Sequence, residues 1–253
     1  MSESPTQQYL RSTLELINRV AESEAKRIQR AADVCASAIL KGRLAHLFGS
    51  GHSRIPVEEI YPRYGSFPGF HPIVELSLTF HTQVVGANGQ RQAMALENAP
   101  GLAKRILRNF VLSEEDAMVV FSNGGSNLVP IEMAEGANEI GMTTIAVTSL
   151  ESNRANPNRT LADVCDIVID NGVPPGDAVV WIDGLETPVS PVSSVSACFI
   201  ANALKAEVAE RLTRAGQPPK VLTSPVHVGK ERAAEMFEES YDDYRRRVGA
   251  LYR

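Results

Sequence analysis

Two short segments gather small hydrogen-bonding residues around glycine: Gly49-Ser50-Gly51-His52-Ser53 and Ser122-Asn123-Gly124-Gly125-Ser126-Asn127. Glycine lets a backbone come close to a ligand, and serine adds hydroxyl donors. If each segment leaves a strand and opens a helix, its unpaired N–H groups and the positive end of the helix dipole make a seat for an anion. Ser122, Asn123, Gly124, Gly125, Ser126 and Asn127 then form a backbone nest, and Ser50, Gly51 and Ser53 a second donor group. The first segment is not a dinucleotide fingerprint, because Arg54 stands where G-x-G-x-x-G needs its third glycine. Neither segment runs into Gly-Lys-Ser/Thr, so a P-loop is excluded and a nucleotide-dependent enzyme is disfavoured.

Acid–base side chains accompany these loops. Glu59 falls on the helix expected after the first loop, and Glu97 on a helix further along. Two carboxyls in different surroundings can divide the roles of base and acid, with Glu59 as the expected base and Glu97 or His52 as the acid. His52 lies within the first loop and offers a proton relay. Glu58 can replace Glu59 if the helix is rotated. Structural roles stay open for each: Glu59 paired with Arg54 or Arg63, Glu97 on a solvated helix face, His52 bonded to its own turn. His71, His81 and Trp181 read as packing residues. No metal-ligand spacing and no pattern calling for a cofactor is present. Cys35, Cys165 and Cys198 are isolated in apolar segments, which reads as buried packing in a reducing compartment.

The elements that must position these groups alternate between helix and strand. Residues 6–40 carry an unbroken helical stripe, which must pack partly on another subunit or break into two helices. Strands are expected at residues 43–48, 117–122, 143–148 and 166–170, with short ones at 82–87 and 179–182. Helices are expected at residues 53–64, 90–112 with a break at Pro100-Gly101, 127–140, 188–214 with Ser190 as cap, and 230–248. Residues 65–81 read as a covering loop anchored by Phe67, Phe70 and Phe80, and residues 223–229 as a plain loop. Apolar strands between helices predict an α/β fold with a parallel sheet covered on both faces, whose ligands sit at the carboxyl ends of the strands.

The composition narrows the class. With 253 residues, 43% hydrophobic, the chain can fill one α/β core. A net charge of -5 without a basic stripe argues against nucleic-acid binding. No run of about 20 apolar residues and no signal peptide is visible, so a cytoplasmic protein without membrane contact is expected.

In this arrangement the sequence resembles the sugar isomerase (SIS) family over roughly residues 43–214. The resemblance implies a single Rossmann-like, three-layer domain with a five-stranded parallel sheet, behind a long N-terminal helix. Residues 1–42 would then be a helical extension packing on the domain or on a dimer partner, and residues 43–253 the domain itself. It further implies a sugar phosphate ligand, held by Ser122, Ser126 and the Gly124-Gly125 backbone, with Ser50 and Ser53 on the sugar side. One subgroup is similar in more detail, the N-acetylmuramic acid 6-phosphate etherases. Ser50-Gly51, Glu59, Pro62, Gly65, Val84-Val85-Gly86 and Glu97 match its pattern, offset by one residue in each segment. His52 and residues 65–81 depart from it. The implied activity is isomerisation of a sugar phosphate or elimination of a C–O substituent, without a redox cofactor, in a homodimer or larger homo-oligomer. The alternative is a non-catalytic phosphosugar sensor acting through a protein partner. Family members also draw a His or Lys from a late segment, for which His227 and Lys230 are the candidates here.

Overall fold

The structure, a computed structural model, describes residues 3–79 and 89–253. Its centre is a five-stranded parallel sheet of β1 (Ala45–Gly49), β2 (Phe70–Ile73), β3 (Ala117–Phe121), β4 (Thr143–Thr148) and β5 (Ile167–Asp170), in the order β2-β1-β3-β4-β5. β1 and β3 run in register from Ala45 opposite Ala117 to Gly49 opposite Phe121. Both strands are wholly buried, which is why they read as continuous apolar runs.

Side-chain alternation sends each strand into two cores. Leu47, Val119, Phe121, Ile145, Val147 and Ile169 pack beneath α1 (Pro5–Leu40), α2 (Ile55–Ile60) and the long helix Ser193–Arg214. Phe48, Met118, Val120 and Ala146 pack on the other face, beneath helices Leu102–Leu107 and Leu128–Ile140. The result is the expected three-layer α/β/α domain.

In chain order the remaining helices among the described residues are α3 (Leu76–Thr79), α4 (Gly89–Leu96), α5 (Leu102–Leu107), α6 (Leu128–Ile140), α7 (Leu150–Ala155), α8 (Ser193–Arg214), α9 (Pro225–Val228) and α10 (Lys230–Val248). α1 does not break. Its capping box at Ser4 and Gln7 starts 36 helical residues, about 54 Å at 1.5 Å each. It lies against α8 and β5, with Val20, Ile28, Ala32, Cys35 and Ile39 buried and Leu10 and Leu14 exposed.

Five expectations need correction. Residues 65–81 do not form only a covering loop, because Phe70–Ile73 is the edge strand β2. An edge strand has one neighbour, so it accepts Pro72 without losing a ladder bond to a second strand. The helix expected from residue 188 starts at Ser193, since Val189–Pro191 (β7) pairs antiparallel with Ala178–Val180 (β6) in a separate ribbon. Trp181, directly after β6, is 62% exposed rather than packed. Residues 223–229 contain the short helix α9, capped by Ser224. Cys35 is buried, whereas Cys165 and Cys198 are half-buried, and all three are free thiols. The strand expected at residues 82–87, together with His81 and the Val84-Val85-Gly86 motif, lies outside the described residues.

Candidate functional site

Both Ser/Gly loops leave the carboxyl ends of adjacent strands, β1 and β3. From β1 the chain runs outward to β2 on one side, and later returns to β3 on the other. Such a reversal opens a crevice at the strand ends, where open α/β sheets take ligands.

Close approach shapes the first loop. A Cβ on Gly49 would stand 2.2 Å from the Ser53 carbonyl oxygen, so only glycine lets β1 turn directly into the 3₁₀ turn Gly51–Arg54. The Ser53 amide closes that turn on the Ser50 carbonyl at 3.0 Å. Gly51 takes a left-handed φ of 55°, and a Cβ there would stand 3.4 Å from Glu97 Oε1.

The second loop is held from beneath. The Asn123 carbonyl accepts from the Ser149 amide at 2.9 Å and Thr148 Oγ1 at 3.3 Å. The Gly124 carbonyl accepts from Asn153 Nδ2 at 3.3 Å, and the Gly125 carbonyl from the Leu161 amide at 2.7 Å. In a planar trans peptide the following N–H points opposite to the carbonyl. The amides of Gly124, Gly125 and Ser126 therefore point away from β4 and α7, and none has an acceptor among the described residues. The Asn123 side chain is fixed in turn, its Oδ1 accepting from Asn171 Nδ2 at 2.8 Å.

α4 supplies the carboxylate. Glu97 follows directly after the helix, and its carbonyl accepts from the Val129 amide at 2.8 Å, tying α4 to the start of α6. Its Oε2 accepts from Asn127 Nδ2 at 2.5 Å. Glu97 thus bridges the two loops, over Gly51 on one side and bonded to Asn127 on the other. Asp177 closes the far wall. Its Oδ1 accepts from the amides of Val192 and Ser193 at 3.0 and 2.8 Å, and its Oδ2 from Ser193 Oγ at 2.6 Å. This caps the N-terminus of α8 from sixteen residues upstream of Ser193.

Together these groups line a cleft of about 300 Å³, within the range of small-molecule sites. It brings together Ser50, Gly51, His52, Ser53, Glu97, Ser122, Asn123, Gly124 and Asn127 from the sequence reading, and adds Gln90, Ala93, Met94, Asp177 and Ser193. Gly125 and Ser126 belong to the loop but are not among the lining residues. No lysine or arginine lines the cleft among the described residues, so an anion there would be met by N–H and hydroxyl donors. A larger cleft of about 560 Å³ between α5 and α6 lies away from both loops.

Glu59 is placed elsewhere. Its carboxylate accepts from Asn202 Nδ2 of α8 at 3.0 Å and pairs with Arg63. Burial pushes its pKa up, but these two bonds and the charges of Arg63 and Lys205 outweigh that and hold it below the ordinary value. Glu58 pairs with Arg54 at 2.8 Å. His227 sits on α9 and Lys230 opens α10; neither lines the cleft. Among the described residues no group of three or more His, Cys, Asp or Glu side chains could hold a metal ion, and no helix is long and apolar enough to cross a membrane.

A family model described as the SIS domain matches residues 8–149, more than half of the chain. The chain belongs to the SIS-domain family. Within that family it is 32% identical over 248 residues to a UPF0309 protein of Listeria innocua, covering 96% of this chain and 97% of the relative. A UPF0309 protein of Brucella canis is 34% identical over 221 residues, covering 87% and 89%. Among solved structures, this SIS protein is similar to phosphoheptose isomerases of Neisseria gonorrhoeae (TM-score 0.52, 13% identity) and Francisella tularensis (TM-score 0.51, 16% identity). Each comparison covers 80% of this chain and 95% of the other, and establishes the shared fold.

Proposed function

We propose that this SIS protein binds a phosphorylated sugar in the cleft between the β1 and β3 loops and moves a proton on it, as a sugar phosphate isomerase or a lyase that eliminates a C–O substituent. The observation that carries this reading is the row of N–H groups at Gly124, Gly125 and Ser126, without acceptors among the described residues, each following a carbonyl (of Asn123, Gly124 and Gly125) that is tied down beneath. Such a preorganised row suits a dianion and costs nothing to arrange when the ligand arrives. Ser122 stands beside it, and Ser50 and Ser53 meet the sugar. The named activity of the two fold neighbours, phosphoheptose isomerase, supports the same substrate class.

Both reactions need a base beside a carbon that bears a proton next to a carbonyl, and a group that serves the oxygen. Glu97 takes the role of base, because its carboxylate lies in the cleft and Asn127 fixes its direction. His52 serves the oxygen, since an imidazole both donates and accepts a proton. The phosphate anchors the substrate and orients its reacting carbons between the two. Glu59 joins α2 to α8 through Asn202 in this reading.

Titration calorimetry with hexose, heptose and amino-sugar phosphates, followed by turnover assays, tests the proposal. Binding of at least one sugar phosphate is expected, with turnover reduced by roughly 10²–10⁴-fold in Glu97→Gln at near-unchanged affinity. Absence of binding across the panel would refute the phosphosugar reading. Binding without turnover in either form would leave a sensor rather than an enzyme.

A further inference from the structure

We infer that Asn153, which touches no ligand position itself, is the positioning residue that sets anion affinity at the β3 loop; this deepens the phosphosugar reading and rests on it. Asn153 lies on α7, on the far side of the loop from the cleft, and is 5% exposed. Its two Nδ2 hydrogens go to Thr148 Oγ1 at 2.8 Å and the Ser149 carbonyl at 2.7 Å, one of them shared with the Gly124 carbonyl at 3.3 Å. Its Oδ1 accepts from the Ala162 amide at 3.3 Å. One amide side chain therefore joins the end of β4, the start of α7, the turn at residue 162 and the middle peptide of the anion loop.

The same side chain fills the space a Cβ would take at Gly125, where its Nδ2 and Oδ1 would each lie 2.5 Å away. Gly125 is left-handed, with a φ of 65°. Asn153 thus acts on the loop twice. It holds the Gly124 carbonyl down, which turns the Gly125 amide toward the opposite side. It also occupies the floor under Gly125, so the loop cannot sink. The flanking carbonyls of Asn123 and Gly125 are bonded by backbone amides, which no side-chain substitution removes. The Gly124 carbonyl has only a side chain to hold it among the described residues.

Removing that side chain frees one peptide of the nest while its neighbours stay fixed. The expected loss is of the size of a hydrogen bond to a charged group, about tenfold to a hundredfold in affinity. Because the effect acts at the phosphate, it should be the same for inorganic phosphate as for a sugar phosphate.

The test measures dissociation constants for inorganic phosphate and for fructose 6-phosphate by calorimetry at 15 °C, in the unsubstituted protein, Asn153→Ala and Thr148→Val. Circular dichroism establishes that each is folded at that temperature. A residue that is only structural lowers the unfolding temperature and leaves both constants unchanged in the folded protein. Weakening of both ligands by the same factor in Asn153→Ala supports the inference. If Asn153→Ala does not fold, Thr148→Val, which removes the hydroxyl that orients the amide together with that hydroxyl's own bond to the Asn123 carbonyl, is expected to weaken both ligands severalfold. Affinities within twofold of the unsubstituted protein, in whichever variant folds, overturn the inference alone. No binding of inorganic phosphate, of fructose 6-phosphate or of any sugar phosphate of the panel above by the unsubstituted protein overturns the phosphosugar reading along with it.

Discussion

Two adjacent glycines in the β3 loop should respond very differently to the same added methyl group. At Gly125 an alanine must adopt a φ of 65°, which costs an L-residue about 1–2 kcal/mol. Its Cβ would also lie 2.5 Å from both amide atoms of Asn153 and 2.7 Å from Thr148 Oγ1. Asn153 cannot withdraw without losing its bonds to Thr148 and Gly124, each worth about 1 kcal/mol. Gly125→Ala should therefore lose about 3–4 kcal/mol in all, a large share of a domain stability of about 5–15 kcal/mol. At Gly124 the nearest atom to an added Cβ is Ser126 Oγ at 3.8 Å, an ordinary contact, and φ is not left-handed. Gly124→Ala should stay within about 1 kcal/mol of the unsubstituted protein, helped by a less flexible unfolded chain. Urea unfolding followed by circular dichroism separates the two. The Gly125→Ala midpoint should fall by about 1–2 M and the Gly124→Ala midpoint should barely move. Equal midpoints for the two variants would refute the support described beneath Gly125.

Two further outcomes follow from groups away from the anion loop. His71 on β2 is buried, with its Nδ1 3.0 Å from His46 Nδ1, and burial first and the neighbouring His46 second push its pKa from 6.5 to about 3. The folded protein thus refuses a proton that the unfolded chain accepts, so stability is full above pH 6.5 and is lost as pH falls toward 3. At about 1.4 kcal/mol per pH unit, unfolding free energy should drop by about 2 kcal/mol between pH 6.5 and 5, and denaturant titrations of His71→Asn should show a flatter profile. Asp177→Ala removes the cap of α8 and leaves alanine at a φ of 68°, so thermal unfolding should show a loss of about 2–3 kcal/mol. Asp177→Asn keeps an acceptor and tolerates that φ, and should retain most of the stability.

How far the sequence revealed this molecule depends on how local each signal is. β3 (AMVVF) and β4 (TTIAVT) announce themselves because both faces are buried. β2 (FHPI) does not, because an edge position permits a histidine and a proline that argue against a strand. The start of α8 is hidden from the sequence for a related reason. Ser190 followed by Pro191 imitates a cap and a first helical residue, yet Ser190 is left-handed in a ribbon and the true cap is Asp177, reached through space. The sequence favours Glu59 as the base, on the helix opened by the first loop, over Glu97 as the second carboxylate. Packing separates them, since α8 presents Asn202 to Glu59 while the start of α6 brings Asn127 to Glu97. Asn153 gave no sign at all, because its contact with Gly124 spans 29 residues.

The glycines that made the loops legible are themselves imprints of the side chains that were not. Gly49 is glycine because the Ser53 carbonyl stands 2.2 Å from where a Cβ would be, and Gly125 because Asn153 and Thr148 fill the floor beneath it. By contrast Gly124, between the same strand and helix, has room for a side chain. A Gly-Gly pair in such a loop is therefore not one signal but two. One glycine records how tightly the supporting layer is built, and the other leaves space above the backbone. Anion recognition by uncharged donors depends on the first kind, because N–H groups that carry only partial charge must be held in direction to compete with water. In the proposed reading, support beneath the loop takes the place of an arginine within the cleft.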